Sequence, residues 1–230
     1  MILIHDSNFM ILIHEHYTSP DPARAAELAR VRERNAASGV FTEIVPVADG
    51  KRKSFADFFR LAAERFAGEV CVVANADIAF DDSLREAAAL LGSSPRPLLV
   101  ALSRWDDPSG PSMEGRVDPA RWRFYSHSQD TWMFVAGGLP PFDAGFTLGI
   151  PACESRLAHE AFRAGVGVFN PALSVRTWHH HASGTRTWKR ADAYRGPLYF
   201  PWLTTLETAS CEGYILDRGR FKTRKEIVTS

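Results

Sequence analysis

The sequence predicts an α/β protein built on a mixed, mostly parallel sheet flanked by helices, and three observations carry that prediction. The first is Val70 to Ala74, VCVVA, a short apolar run rich in β-branched residues of the kind buried on both faces of a sheet. The second is the alternation of such runs with segments of helical period between Met10 and Leu102, in the order β-α-β-α-β-α-β. The third is Asn75-Ala76-Asp77, where the apolar run stops. Open α/β sheets place ligands at the carboxyl ends of their strands, so Asp77 is the first functional candidate.

Each element has its own signal. MILIH occurs twice, at Met1 to His5 and Met10 to His14, and the second copy, which leads into helical sequence, is the expected first strand. Asp21-Pro22 is an N-cap and first-turn pair and Gly39 suits a C′ position, so Pro22 to Ser38 reads as a helix. Thr42 to Val47 reads as a strand, with Pro46 pointing to an edge. Phe55, Phe58, Phe59, Ala62 and Phe66 share one helical face between Ser54 and Gly68, which makes them core. A helix from Asp82 to Leu91 and a strand from Leu98 to Leu102 follow. Asp106 to Arg121, rich in Pro, Gly and polar residues, reads as a surface loop of the kind that often covers active sites. Beyond it come strand-like WMFV, a helix from Cys153 to Gly165 and a strand from Val166 to Phe169.

Composition bounds the function. A chain of 230 residues with 45% hydrophobic and 23% charged residues buries a sizeable core. Lys+Arg and Asp+Glu number 27 each, so no global positive field favours nucleic acid, and none is expected as a partner. Cys71, Cys153 and Cys211 form no CxxC pair, and with no apolar stretch of about 20 residues and no leader pattern the expected location is cytoplasmic. The basic run Arg218 to Glu226 fits a solvated tail and also a peripheral contact to anionic lipid or pyrophosphate.

Four constellations are able to carry chemistry. Asn75 and Asp77 offer oxygen ligands two residues apart, as Mg²⁺ or Mn²⁺ shared with a diphosphate requires, and equally suit a turn cap. In an extended His179-His180-His181, the outer two share a face and present two imidazoles to a metal or phosphate; functionless surface triplets are also common. Glu154 stands in the first turn of a helix, where the dipole favours its ionised form, as a base or as a plain first-turn acid. Asp130 beside Trp132 has the chemistry of a sugar subsite, an aromatic face with a carboxylate, and also that of a loop Asp next to a core Trp.

Taken together, ANADIAFDDSL (Ala74 to Leu84), SQDTWMF (Ser128 to Phe134) and the stretch from Leu148 to His181 resemble bacterial proteins of the nucleotide-diphospho-sugar transferase superfamily, whose fold is the Rossmann-like GT-A fold. The resemblance implies one GT-A-like domain over residues 1–230, with a nucleotide-sugar-binding half (1–104), an acceptor-side half (105–217) and a basic tail (218–230). It implies transfer of a sugar from a nucleotide-diphosphate donor to a hydroxyl of a glycan or other acceptor, in cell-surface or secreted glycan synthesis, with Mn²⁺ or Mg²⁺. Asp77 takes the metal role of a DxD-type motif, Asn75 stands at its first position, and His181 or His179 completes the metal shell. Glu154 is the implied base, Asp130 its fallback or an acceptor ligand, and Tyr17 lies in the loop that holds the nucleotide. Asn75 departs from the Asp usual there and favours a rival reading, an inactive nucleotide- or glycan-binding relative. A second rival is a metallohydrolase using the histidines with Asp77.

Overall fold

Strand β1 (Met10–Glu15), the second MILIH copy, lies inside a six-stranded sheet. Its side chains alternate between two cores, Ile11 and Ile13 on one face and Met10 and Leu12 on the other, as the two-residue period of a strand requires. This computed structural model describes residues 10–48, 50–106, 110–111, 117–118, 123–124, 128–184 and 188–223.

Helix α1 (Pro22–Ala37) starts where expected: the Asp21 carboxylate accepts the Ala23 N–H at 2.9 Å and Pro22 fills the first turn. β2 (Glu43–Val47) pairs with β1 alone at the sheet's edge, where a proline without an N–H donor is tolerated. Ser54 and Asp57 form a capping box at the head of α2 (Phe55–Phe66), which buries Phe55, Phe58 and Ala62. β3 (Val70–Ala74) is buried along its whole length, parallel to β1. The sequence pattern did not separate the next strand, β4 (Ile78–Phe80), from the turn after Asp77. Then follow α3 (Leu84–Ser93) and β5 (Leu98–Ser103).

The expected loop from Asp106 to Arg121 is in part short strands: β6 (Trp105–Asp106) pairs with β7 (Gly110–Pro111), and β8 (Val117–Asp118) with β9 (Arg123–Phe124). The rest of it lies outside the described residues. β10 (Gln129–Val135) then enters the main sheet antiparallel, between β3 and β5. α4 (Cys153–Arg163) leads into β11 (Gly167–Phe169), parallel to β5, and β12 (Thr177–His179) follows. β13 (Leu198–Pro201), β14 (Gly213–Asp217) and β15 (Arg220–Thr223) form a separate antiparallel sheet. The expected basic tail is therefore structured at its start: Arg218 and Gly219, both at positive φ, turn the chain from β14 into β15. Its residues from 224 onward lie outside the described ones.

The main sheet has the order β11-β5-β10-β3-β1-β2, with only β10 reversed. Helices α2 and α4 pack on one face and α3 on the other. A mixed sheet covered on both sides in this way is consistent with a Rossmann-like fold. No helix among the described residues is long and apolar enough to cross a membrane.

A smaller sheet, β4-β12-β6-β7, hangs on the segment after Asp77. β12 satisfies one side of β4, and the buried Asn35 of α1 satisfies the other. Its amide donates to the Ile78 carbonyl at 2.9 Å and its carbonyl accepts from the Phe80 N–H at 3.1 Å. Asn35→Ala strands both backbone groups in a buried place, so it is expected to lower stability by about 2–4 kcal/mol, read as a fall in the urea midpoint at unchanged slope.

Candidate active site

Strand direction gathers the site. β1, β3 and β5 all end at one edge of the sheet, and β10, running the other way, begins there. Glu15, Asn75, Arg104 and Asp130 therefore meet at that edge without any being near another in sequence. α1 starts from the same edge after β1, which brings Arg24, and α4 starts from it before β11, which brings Glu154. A cleft of about 340 Å³ opens over the edge, walled also by Tyr17, Arg52, His179 and His181.

Asp77 lines this cleft and is only 7% exposed. The antiparallel register of β12 on β4 sets His179 opposite Ile78, and the His180 N–H donates to the Asp77 carbonyl at 2.9 Å. The side chains of the triplet then alternate. His179 Nε2 and His181 Nδ1 stand 3.5 and 3.4 Å from Asp77 Oδ2, while His180 turns away to Arg34, 3.3 Å distant. Those two separations exceed the range of a good N–H···O bond, about 2.7–3.2 Å. They match the spacing of two ligands on one tetrahedral ion, about 3.4 Å for bonds of about 2.0–2.2 Å. One ligand atom from each of Asp77, His179 and His181 falls within 4.8 Å of the others, so the residues present fit a divalent cation. The far nitrogen of His179, Nδ1, faces the Asp106 carboxylate at 3.3 Å.

Arg24 reaches the same Asp77 oxygen through Nη2, at 2.5 Å, and also donates to the Tyr17 hydroxyl at 3.3 Å. Burial alone pushes the Asp77 carboxyl up, but the His179 and His181 imidazoles and the Arg24 guanidinium outweigh it and hold the pKa well below the usual carboxylate range. Burial works against a charged His179, and the Asp77 carboxylate beside it more than offsets this, raising its pKa.

Asn75 and Asp130 face each other. The Asn75 amide donates to Asp130 Oδ1 at 2.7 Å, and Arg104 holds Oδ2 at 3.1 Å. Both carboxylate oxygens of Asp130 are thus engaged, and its pKa is raised by burial in spite of Arg104. Trp132, the proposed aromatic partner of Asp130, is fully buried and packs edge-on against Phe55, so it is core. Glu154 lies in the first turn of α4, entered through Ala152 at φ 65°, and is buried at the cleft wall. Burial, with the negative charge of Asp130, pushes its pKa up to about 8. Tyr17 stands 39% exposed at the cleft, its ring available to a ligand.

Sequence reasoning named Asp77, His179, His181, Glu154, Asp130, Asn75 and Tyr17, and all seven contribute to this cleft. It missed Arg24, Arg52, Arg104 and Asp106, whose positions follow from strand ends and register. For Arg24 a signal existed: it falls on the stripe Arg24, Glu27, Leu28, Val31, Asn35 that α1 buries. A charged pair in register with a buried face is unusual.

No family model matches this chain, and no curated protein does. Among the solved chains that match is one described as the crystal structure of a glycosyltransferase involved in the glycosylation of the major capsid of PBCV-1. It is similar at 12% identity over 77% of this chain and 94% of that one, with a TM-score of 0.39. What this chain does rests on its own side chains.

Glu154 makes a pH signature measurable. Its pKa rises from 4.5 to about 8 on folding, so between those values the native protein keeps a proton that the unfolded chain has lost. Stability then falls as pH rises through that window, by up to a few kcal/mol. Glu154→Gln removes this contribution, and urea unfolding from pH 5 to pH 9 is expected to show the variant gaining on the wild type as pH rises.

Proposed function

We propose that this chain is a glycosyltransferase of the GT-A kind, moving a sugar from a nucleotide-diphosphate donor to an acceptor hydroxyl. The observation that supports it above all is one cleft lined both by a cation-ligand set, Asp77, His179 and His181, and by Glu154, a carboxylate whose pKa lies near neutral pH. Asp77, His179 and His181 would hold the cation, whose chemistry would be to offset negative charge on a departing diphosphate. Two imidazoles with one carboxylate are softer donors than Mg²⁺ prefers, so Mn²⁺ is the better match of the two expected ions.

Arg52 lines the same cleft and supplies positive charge for phosphate oxygens, while Arg24 is taken up by Asp77 and Glu27. In its ionised form, half populated near pH 8, Glu154 accepts the proton of the acceptor hydroxyl as that oxygen bonds the anomeric carbon and the bond from that carbon to the diphosphate oxygen breaks; a base with a pKa close to the working pH is effective in this role. Asp130, with both oxygens held by Asn75 and Arg104, serves better as the charge that keeps the Glu154 proton affinity high than as a base itself. Asn75, which donates to Asp130, acts in the same arrangement rather than as a ligand. Tyr17 offers a stacking face to the nucleotide.

A second reading has a specific observation behind it: two histidines and one carboxylate also form a catalytic zinc set, which suits a metallohydrolase. One titration separates the two. Under the glycosyltransferase reading, uridine or guanosine diphosphate raises the melting temperature only with Mn²⁺, by an amount that grows with the logarithm of ligand concentration above Kd. Zinc binding with no nucleotide response at all supports the hydrolase. Asp77→Ala is expected to abolish the Mn²⁺-dependent shift, and an unchanged shift sinks the metal assignment. Glu154→Gln is expected to keep donor binding while lowering transfer about 10²- to 10⁴-fold, measured as released nucleoside diphosphate.

A further inference from the structure

Helix α1 carries a buried charge pair, Arg24 and Glu27, each 5% exposed and three residues apart on one face. Glu27 is not a cleft-lining residue, and the chemistry above makes no use of it. Its contacts all lead to the site. Oε1 accepts the backbone N–H groups of Ala182 and Ser183, both at 2.8 Å, and Oε2 accepts the Ser183 hydroxyl at 3.0 Å and Arg24 Nη1 at 3.1 Å. The same Nη1 donates to the His180 carbonyl at 3.1 Å, while Nη2 holds Asp77.

We propose that Glu27 is a positioning residue for the cation site. Its one carboxylate grips the chain immediately past His181 and, through Arg24, the Asp77 side chain, so α1 sets the separation of ligands that come from two distant segments. A buried carboxylate is costly unless paired and hydrogen-bonded, and Glu27 achieves both only when the chain after His181 lies where it brings that imidazole to Asp77. Past the pairing of His179 with Ile78, the His180 N–H donates to the Asp77 carbonyl and Glu27 then takes the N–H groups of Ala182 and Ser183, which makes it an anchor for this segment. This rests on the reading of Asp77, His179 and His181 as cation ligands.

The test is Mn²⁺ affinity by calorimetry on the full chain, well below each variant's melting temperature, for wild type, Asp77→Ala, Glu27→Gln and Ser183→Ala. Glu27→Gln keeps the shape but has a single oxygen for the donors, and the expected loss of affinity is about 10- to 100-fold, typical for removal of a group that orients a metal ligand. Ser183→Ala, which removes one of the four hydrogen bonds, is expected to lose about three- to tenfold. With Co²⁺ in place of Mn²⁺, the visible spectrum of Glu27→Gln is expected to shift as His181 moves. A lower melting temperature with unchanged affinity and spectrum overturns the proposal and leaves Glu27 a purely structural residue. If Glu27→Gln does not fold, Ser183→Ala decides, and an unchanged affinity there overturns it equally. A wild type that binds none of Mn²⁺, Co²⁺ and Zn²⁺ instead overturns the cation reading itself, a result distinct from failure of Glu27 alone.

Discussion

The structure around the cleft depends on one buried carboxylate. Asp77 stands 7% exposed at the end of a strand whose five residues are all buried, a place where an ionised group is several kcal/mol too costly unless partners answer its charge. Arg24, His179 and His181 answer it, and all three converge on a single oxygen, Oδ2. Meeting that demand draws α1 and the end of β12 toward the strand end. The small sheet β4-β12-β6-β7, the Asn35 clasp on β4 and the grip of Glu27 beyond His181 all keep those partners in place.

A second carboxylate pair makes the opposite use of burial. Glu154 and Asp130 lie on the same cleft with less positive charge to share, Arg104 being held by Asp130. Their proton affinities rise while that of Asp77 falls. One cleft thus separates its acids into an ionised group beside two imidazoles and a group whose pKa is raised to about 8. Such divergence between neighbouring acids is how a single fold places distinct roles side by side.

Much of this was legible in the sequence because it is written locally. The VCVVA run, the Asp21-Pro22 start, the Ser54 cap and the phenylalanine stripe of α2 each depend on residues within a few positions of one another, and each appears within a residue or two of where it was expected. Pro46 reported an edge strand correctly, since only an edge leaves the missing N–H unneeded. Elements set by distant partners were not legible. β4 is three residues held by Asn35 and β12, β6 and β7 are two residues each, and β15 turns the start of a basic tail into a strand because β14 is there to pair with it.

The site divides along the same line. The sequence by itself determined the chemical types, a carboxylate at a strand end, alternate imidazoles in an extended triplet and an acid in a helix's first turn, because strand and helix periods are properties of neighbouring residues. Only the tertiary structure decided that these stand in one cleft, that Asn75 turns to Asp130 and that Arg24, Arg104, Asp106 and Glu27 complete their surroundings. Those outcomes follow from the reversed direction of β10 and the register of β12, which are set by contacts between segments more than fifty residues apart, such as Asn75 with Asp130 and Arg24 with Asp77. Charge compensation in a buried place acts through space, and no local pattern carries it.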